Sequence, residues 1–214
     1  MNRFVAALCA VALVAPVARA GNYLQSDPQE FALEGAQRLS LEFPVGELRL
    51  EGDEGHTVRV LVRVDCKSLD GDDCADEARR VRVDHEVRDG TFRLEFAGIR
   101  KNATGRHITV EARVLVPHAL VTQAHMGVGK ADFAGFTRDV DVELGVGELT
   151  VRGAERNYRD ADVEAGVGDV SLQTRSGHVR DHGFIGHRAH WSDGRGAGFV
   201  RAHVGVGHAS VSLR

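Results

Sequence analysis

Aromatic residues make up only 6% of this 214-residue chain, with a single tryptophan among them, which leaves little from which to build the ring platforms that sugar sites favour. Helix signals are nearly missing too, and only a turn or two around residues 76–81 predicts helix. Long apolar runs are confined to the first twenty residues, so the mature chain holds no transmembrane candidate. Catalytic signatures are absent as well: there is no G-x-S-x-G elbow, no H-E-x-x-H pair and no Walker lysine. The Gly-Val-Gly pairs, as in "GVGELT" and "GVGDVS", lack the third glycine of a dinucleotide loop and run into strand alternation where such a loop needs a helix N-terminus. No cofactor is expected.

What is present begins with a leader. Arg3 precedes an apolar run from Phe4 to Val17, and Ala18-Arg19-Ala20 supplies a small-x-small cleavage pattern, so residues 1–20 read as a secretory signal and the mature chain as starting at Gly21. The expected location is the periplasm, the cell surface or the extracellular space. Removing the leader takes Arg3 and Arg19 and no acid; the 27 basic residues fall to 25 against 31 acidic, a formal charge of −6. Nucleic acid is thereby not an expected partner. Two cysteines remain, Cys66 and Cys74, bracketing "CKSLDGDDC". In an oxidising compartment they predict a disulfide, because no C-x-x-C spacing and no histidine in the loop supports a metal or redox pair. The acids of this region, Asp70, Asp72, Asp73, Asp76 and Glu77, miss the EF-hand spacing and read as a solvated loop.

Residues 21–214 read as one all-β domain. From 53 to 120 the pattern is an antiparallel insert carrying the disulfide loop: Val58, Val60, Val62 and Val64 alternate, "VRVDHEVRDGTFRLEF" suggests a hairpin turning at Asp89-Gly90, and Ile108 to Val116 alternates again. From 121 to 214 the units repeat. In "ELGVGELTV" the alternation Val140, Val142, Leu144, Val146 slips by one and resumes at Leu149 and Val151. The slip predicts a corner that needs glycine's backbone freedom. Copies of it place structural corners at Gly46, Gly129, Gly147, Gly168 and Gly207. Gly-Val-Gly units beginning at Gly127, Gly145, Gly166 and Gly205 set a period of roughly 20 residues, with the last gap about twice that. The expected architecture is a stack of β-strand repeats, β-solenoid or β-roll-like, with an N-terminal antiparallel meander. In it Val128, Val146, Val167 and Val206 form an inward ladder. Residues 177–197 break the pattern and read as a capping segment, with Phe184, Ile185 and Trp191 as its packing.

The repeats "DVELGVGELTVRG" and "DVEAGVGDVSLQT", following a leader and a short antiparallel part, resemble the bacterial putative-adhesin family of β-strand-repeat proteins, also called the toastrack type. The resemblance covers nearly the whole mature chain. It implies an exported all-β repeat domain associated with the cell envelope, and it carries over no catalytic residue.

Two constellations remain. Flanking each corner on the outward face stand Glu42, His125, Glu143, Glu164 and His203 on one side and Glu47, Lys130, Glu148, Asp169 and His208 on the other. Sequential stacking sets Glu143 beside Glu164 and Glu148 beside Asp169, a charged face that either points into water or binds a cation. The second is a histidine-rich end, in which His178, His182, His187 and His190 are metal-ligand candidates with Asp181 or Asp193. The expected function is a non-enzymatic, envelope-associated structural or adhesin-like binding module whose partner is an envelope or surface component. The alternatives are a polysaccharide-acting β-solenoid enzyme using the paired acids and metal binding through the histidines.

Overall fold

Period-two alternation in the sequence becomes strand along most of the chain. The computed structural model describes residues 23–66, 71–99, 108–181, 186–192 and 194–214. Residues 1–20, which the sequence reads as a leader, and Asp70, His182, Phe184, Ile185 and Asp193 lie outside these residues. The order is β1 (Tyr23–Gln25), β2 (Gln29–Ala32), β3 (Arg38–Asp53), β4 (Thr57–Cys66), α1 (Gly71–Arg80), β5 (Arg82–Arg88), β6 (Thr91–Ala97), β7 (Ile108–Pro117), β8 (Val121–Ala134), β9 (Val140–Gly153), β10 (Tyr158–Gln173), β11 (His178–Asp181), β12 (His187–Trp191) and β13 (Gly198–Leu213). All thirteen strands of the described residues join one mixed sheet. The β5–β6 hairpin turns at Asp89-Gly90, both with positive φ (52° and 70°).

Five long strands, β3, β8, β9, β13 and β10 in that spatial order, run parallel and bend at their glycine. The glycines at the bend, Gly46, Gly129, Gly147, Gly207 and Gly168, stand next to one another in register with φ between 125° and 141°. An alanine at Gly147 would set its Cβ 1.8 Å from the Gly129 carbonyl oxygen, so the neighbouring backbone occupies the space of a side chain. The bend divides each strand into two limbs with different outer neighbours. On β3 the first limb pairs with β6 and the second with β7. On β10 the first limb pairs with β12 and the second with β11.

Both limbs feed one core. Before the bend Leu41, Ala124, Val142, Ala202 and Val163 form a row across the five strands, and after it Leu48, Ala131, Leu149, Ala209 and Val170 form another; all are buried. The odd step from Leu144 to Leu149 keeps apolar residues on the core side through the change of direction. Tyr158, wholly buried, anchors the turn after β9 by donating its hydroxyl to the Phe136 carbonyl at 2.9 Å; burial chiefly, with the Asp139 charge adding, pushes this phenol well above its ordinary range.

Three expectations are corrected here. The ladder of Val128, Val146, Val167 and Val206 points outward, with 42–47% of each side chain exposed. The phase change is spread over residues 145–148, so the valine falls on the outside of the bend and not in the core. The stack is not sequential either: β13 returns to lie between β9 and β10, so a simple coil of consecutive rungs does not describe it. The helix is longer than expected, spanning Gly71–Arg80 with Cys74 inside it. Cys74 is bonded to Cys66 at the end of β4, with Cα atoms 5.8 Å apart. Pairs of Arg79 with Asp76 and of Arg80 with Glu77 (2.5 Å) add support in the last turn. The core-facing stripe of the helix is short and built from small residues, with Cys74 buried and Ala78 and Val81 packed against the core, so it is easily missed in a run this polar.

Candidate binding surface along the glycine bend

The late return of β13 decides the chemistry of the outer face. Just before the bend, side chains from neighbouring strands line up as Glu42, His125, Glu143, His203, Glu164 and Arg188. Just after it the row is Glu47, Lys130, Glu148, His208 and Asp169. Glu143 therefore does not adjoin Glu164, and Glu148 does not adjoin Asp169: a histidine of β13 separates each pair. Like charges at the roughly 4.8 Å strand spacing would repel, and inserting β13 replaces that repulsion with alternation.

The contacts follow the rows. His125 Nε2 lies 3.3 Å from a Glu143 carboxylate oxygen, His203 Nδ1 3.8 Å from Glu164, and Lys130 Nζ 3.9 Å from Glu148. One row further from the bend, Arg201 donates to Asp141 at 3.0 Å, and Asp162 takes a two-pronged contact from Arg188, which reaches across from the row of Glu164 with its Nε 2.8 Å from Oδ1. That hydrogen bond is the first cause holding the Asp162 carboxyl below the usual carboxylate range, with the charges of Arg188, His190 and Arg201 assisting against partial desolvation. A depressed acid stabilises the fold fully above its unfolded value, about 3.9, and the contribution is lost as pH falls through the folded value. Asp162→Asn should therefore melt slightly below the parent near neutral pH, and the gap should close below about pH 4. A gap that widened in acid would contradict this reading of the contact.

Carboxylates do stand side by side, at the other end of the sheet. Asp84, Glu95 and Glu42 occupy one row across β5, β6 and β3, beside shallow cavities whose walls include His85, Arg93 and His125.

The histidine candidates are dispersed. His178 sits on β11 opposite Gln173, on the second-limb side, with Nε2 3.1 Å from Ser171 Oγ. His187 and His190 are on β12, on the first-limb side, three residues apart and so on opposite faces. Asp181 belongs to β11. Among the described residues no group of three or more His, Cys, Asp or Glu side chains is placed to hold a metal ion.

Running between the two charged rows is the ladder that the sequence reading placed in the core, Val128, Val146, Val206 and Val167, in adjacent register on the outside of the bend with Val45 beside Val128. Apart from Leu24 and Val179, the four exposed valines are the only large apolar residues exposed among the described ones. The signal that could have found the arrangement is electrostatic. Only an order that places His203 and His208 between the acid-bearing strands avoids adjacent carboxylates there.

No family model matches the chain, and no curated relative does. Among solved structures, a putative cell adhesion protein from Clostridium sporogenes superposes over 90% of this chain and 100% of its own, with a TM-score of 0.53 at 16% identity. The two share a fold. A putative lipid binding protein from Parabacteroides distasonis (TM-score 0.33, 13% identity, 90% of this chain and 63% of that one) and a putative adhesin from Parabacteroides merdae (TM-score 0.28, 12% identity, 89% and 82%) superpose more loosely. No helix among the described residues is long and apolar enough to cross a membrane.

Proposed function

We propose that the mature chain, residues 21–214, is an exported, non-enzymatic binding module of the bacterial envelope, adhesin-like in role, with the outer face of the bend as its contact surface. The observation that carries this reading is the exposed valine row flanked by two ordered rows of charge on a frame of five parallel strands. An outward, ordered and partly apolar strip is what a protein contact requires. The leader pattern and the bonded cysteines support export. Glu143 and Glu164, candidate acids of the enzymatic alternative, stand half-exposed on the open outer face, a setting that favours contact over turnover.

The test is expression of the full chain in a bacterial host, followed by fractionation, N-terminal sequencing and crosslinking. The expected result is protein in the envelope or medium beginning at Gly21, with no thiol reactive before reduction and with crosslinks to an envelope component that Glu143→Lys and Glu148→Lys diminish. Retention of Met1 on exported protein, alkylation of native Cys66, or release of sugar from envelope polysaccharide by the purified chain would each defeat it.

A further inference from the structure

We propose that the strip along the bend is a contact surface for a second copy of this chain, packed with its strand order reversed about a twofold axis between β9 and β13. The proposal uses only the residues of the strip and stands whether or not the module is an adhesin. Its basis is the order of the charges. Across β3, β8, β9, β13, β10 and β12 the row before the bend reads Glu42, His125, Glu143, His203, Glu164, Arg188. With histidine protonated, reversing that row turns every acid into a base and every base into an acid.

A twofold contact presents one surface to itself, so each way of doing this can be checked against the rows. An axis running along the valines sets His125 over Lys130 and Glu143 over Glu148, like over like. Placing the axis across the valines at β9 sets Glu143 over its own copy. Only an axis across the valines between two strands opposes unlike charges, and the position between β9 and β13 uses the most of the strip. There His125 meets Glu164, Glu143 meets His203 and Glu42 meets Arg188. After the bend, Lys130 meets Asp169 and Glu148 meets His208. Val146 then opposes Val206, and Val128 opposes Val167, joining side chains that are each 42–47% exposed in the single chain. Five strands at about 4.8 Å make a strip of only about 24 Å, so the contact is small and the association belongs in the micromolar to millimolar range.

The histidines supply much of the positive charge. On its own sheet His125 faces Glu42 and Glu143, His203 faces Glu143 and Glu164, and His208 faces Glu148 and Asp169. Association should therefore weaken with added salt.

The experiment is sedimentation velocity on the oxidised mature chain at up to about 1 mM, with melting temperatures confirming that each variant is folded. A monomer–dimer equilibrium is expected, weakened at least about tenfold by Val146→Glu combined with Val206→Glu. Glu148→Lys and His208→Glu should each weaken self-association comparably, because each opposes like charges twice in its own dimer. Mixed in equal amounts, those two single variants should recover a dimer, since each then meets its opposite charge at both contacts. A parent that stays monomeric throughout, a dimer indifferent to the valine changes, or a mixture that fails to recover overturns the proposal.

Discussion

Gly147→Ala is expected to destabilise the chain by on the order of 3–5 kcal/mol, among the largest effects any single substitution outside the core should have. Two costs combine. The residue has φ of 141°, a region L side chains rarely adopt, and the new Cβ would stand 1.8 Å from the Gly129 carbonyl oxygen and 2.8 Å from its carbon. Backbone, not a flexible side-chain tip, would have to move, and Gly129 is itself held against Gly46 in the same way. A comparison at an open site is Gly35→Ala, where φ is 82°, closer to what alanine tolerates, and nothing lies within 4 Å of the added carbon. That variant should lose only about 1–2 kcal/mol, the ordinary cost of a left-handed alanine. Urea unfolding of the two variants reads the difference directly. Equal losses would show that the strands at the bend are not packed backbone against backbone.

How much of this was legible in the sequence depended on whether the information was local. The five bend glycines were, because an odd step between buried residues such as Leu144 and Leu149 leaves a mark in the alternation itself. The hairpin at Asp89-Gly90 was legible for the same reason, since two adjacent positive φ values need residues that tolerate them. The order of the strands was not. Gly166 and Gly205 are separated by roughly two periods, and a chain that omits a rung reads the same as one that goes out to form β11 and β12 and returns to a slot left open beside β9. Propensity and period are blind to which neighbour a strand finds; the charges of His203 and His208 are not, and they favour the slot between Glu143 and Glu164 and between Glu148 and Asp169. The candidate surface was therefore half visible. Its residues were identifiable from their offsets to the valines, while their adjacency depended on a long-range pairing. The helix was underestimated for a different reason: its stripe consists of small residues, Cys74 and Ala78 with Val81 just beyond, and the bond from Cys74 to β4 adds a covalent contact that no local pattern displays.

The side assigned to the valines was the error with the most consequence, and it sets the second large expected effect. Leu144→Ala should cost about 2–5 kcal/mol, whereas Val146→Ala, two residues along the same strand, should cost within about 0.5 kcal/mol. Leu144 is 1% exposed in a row with Phe43, Met126, Val204 and Ala165, all buried, so truncation leaves a hole among side chains that cannot all close on it. Val146 is 46% exposed on the outside of the bend, and its γ-methyl groups have water where Leu144 has neighbours. Strict alternation through Val146 would put both residues in the core and make both losses large. A strand with no bend would give the same result, because a valine inside a flat run faces the way its neighbours two places off do. Thermal or urea unfolding of the two alanine variants separates these geometries: similar, large losses would return the valine to the interior and remove the exposed strip on which both the binding reading and the reversed pairing depend. The expected outcome is a difference of at least about 2 kcal/mol between adjacent even positions of a single strand, which the bend alone accounts for.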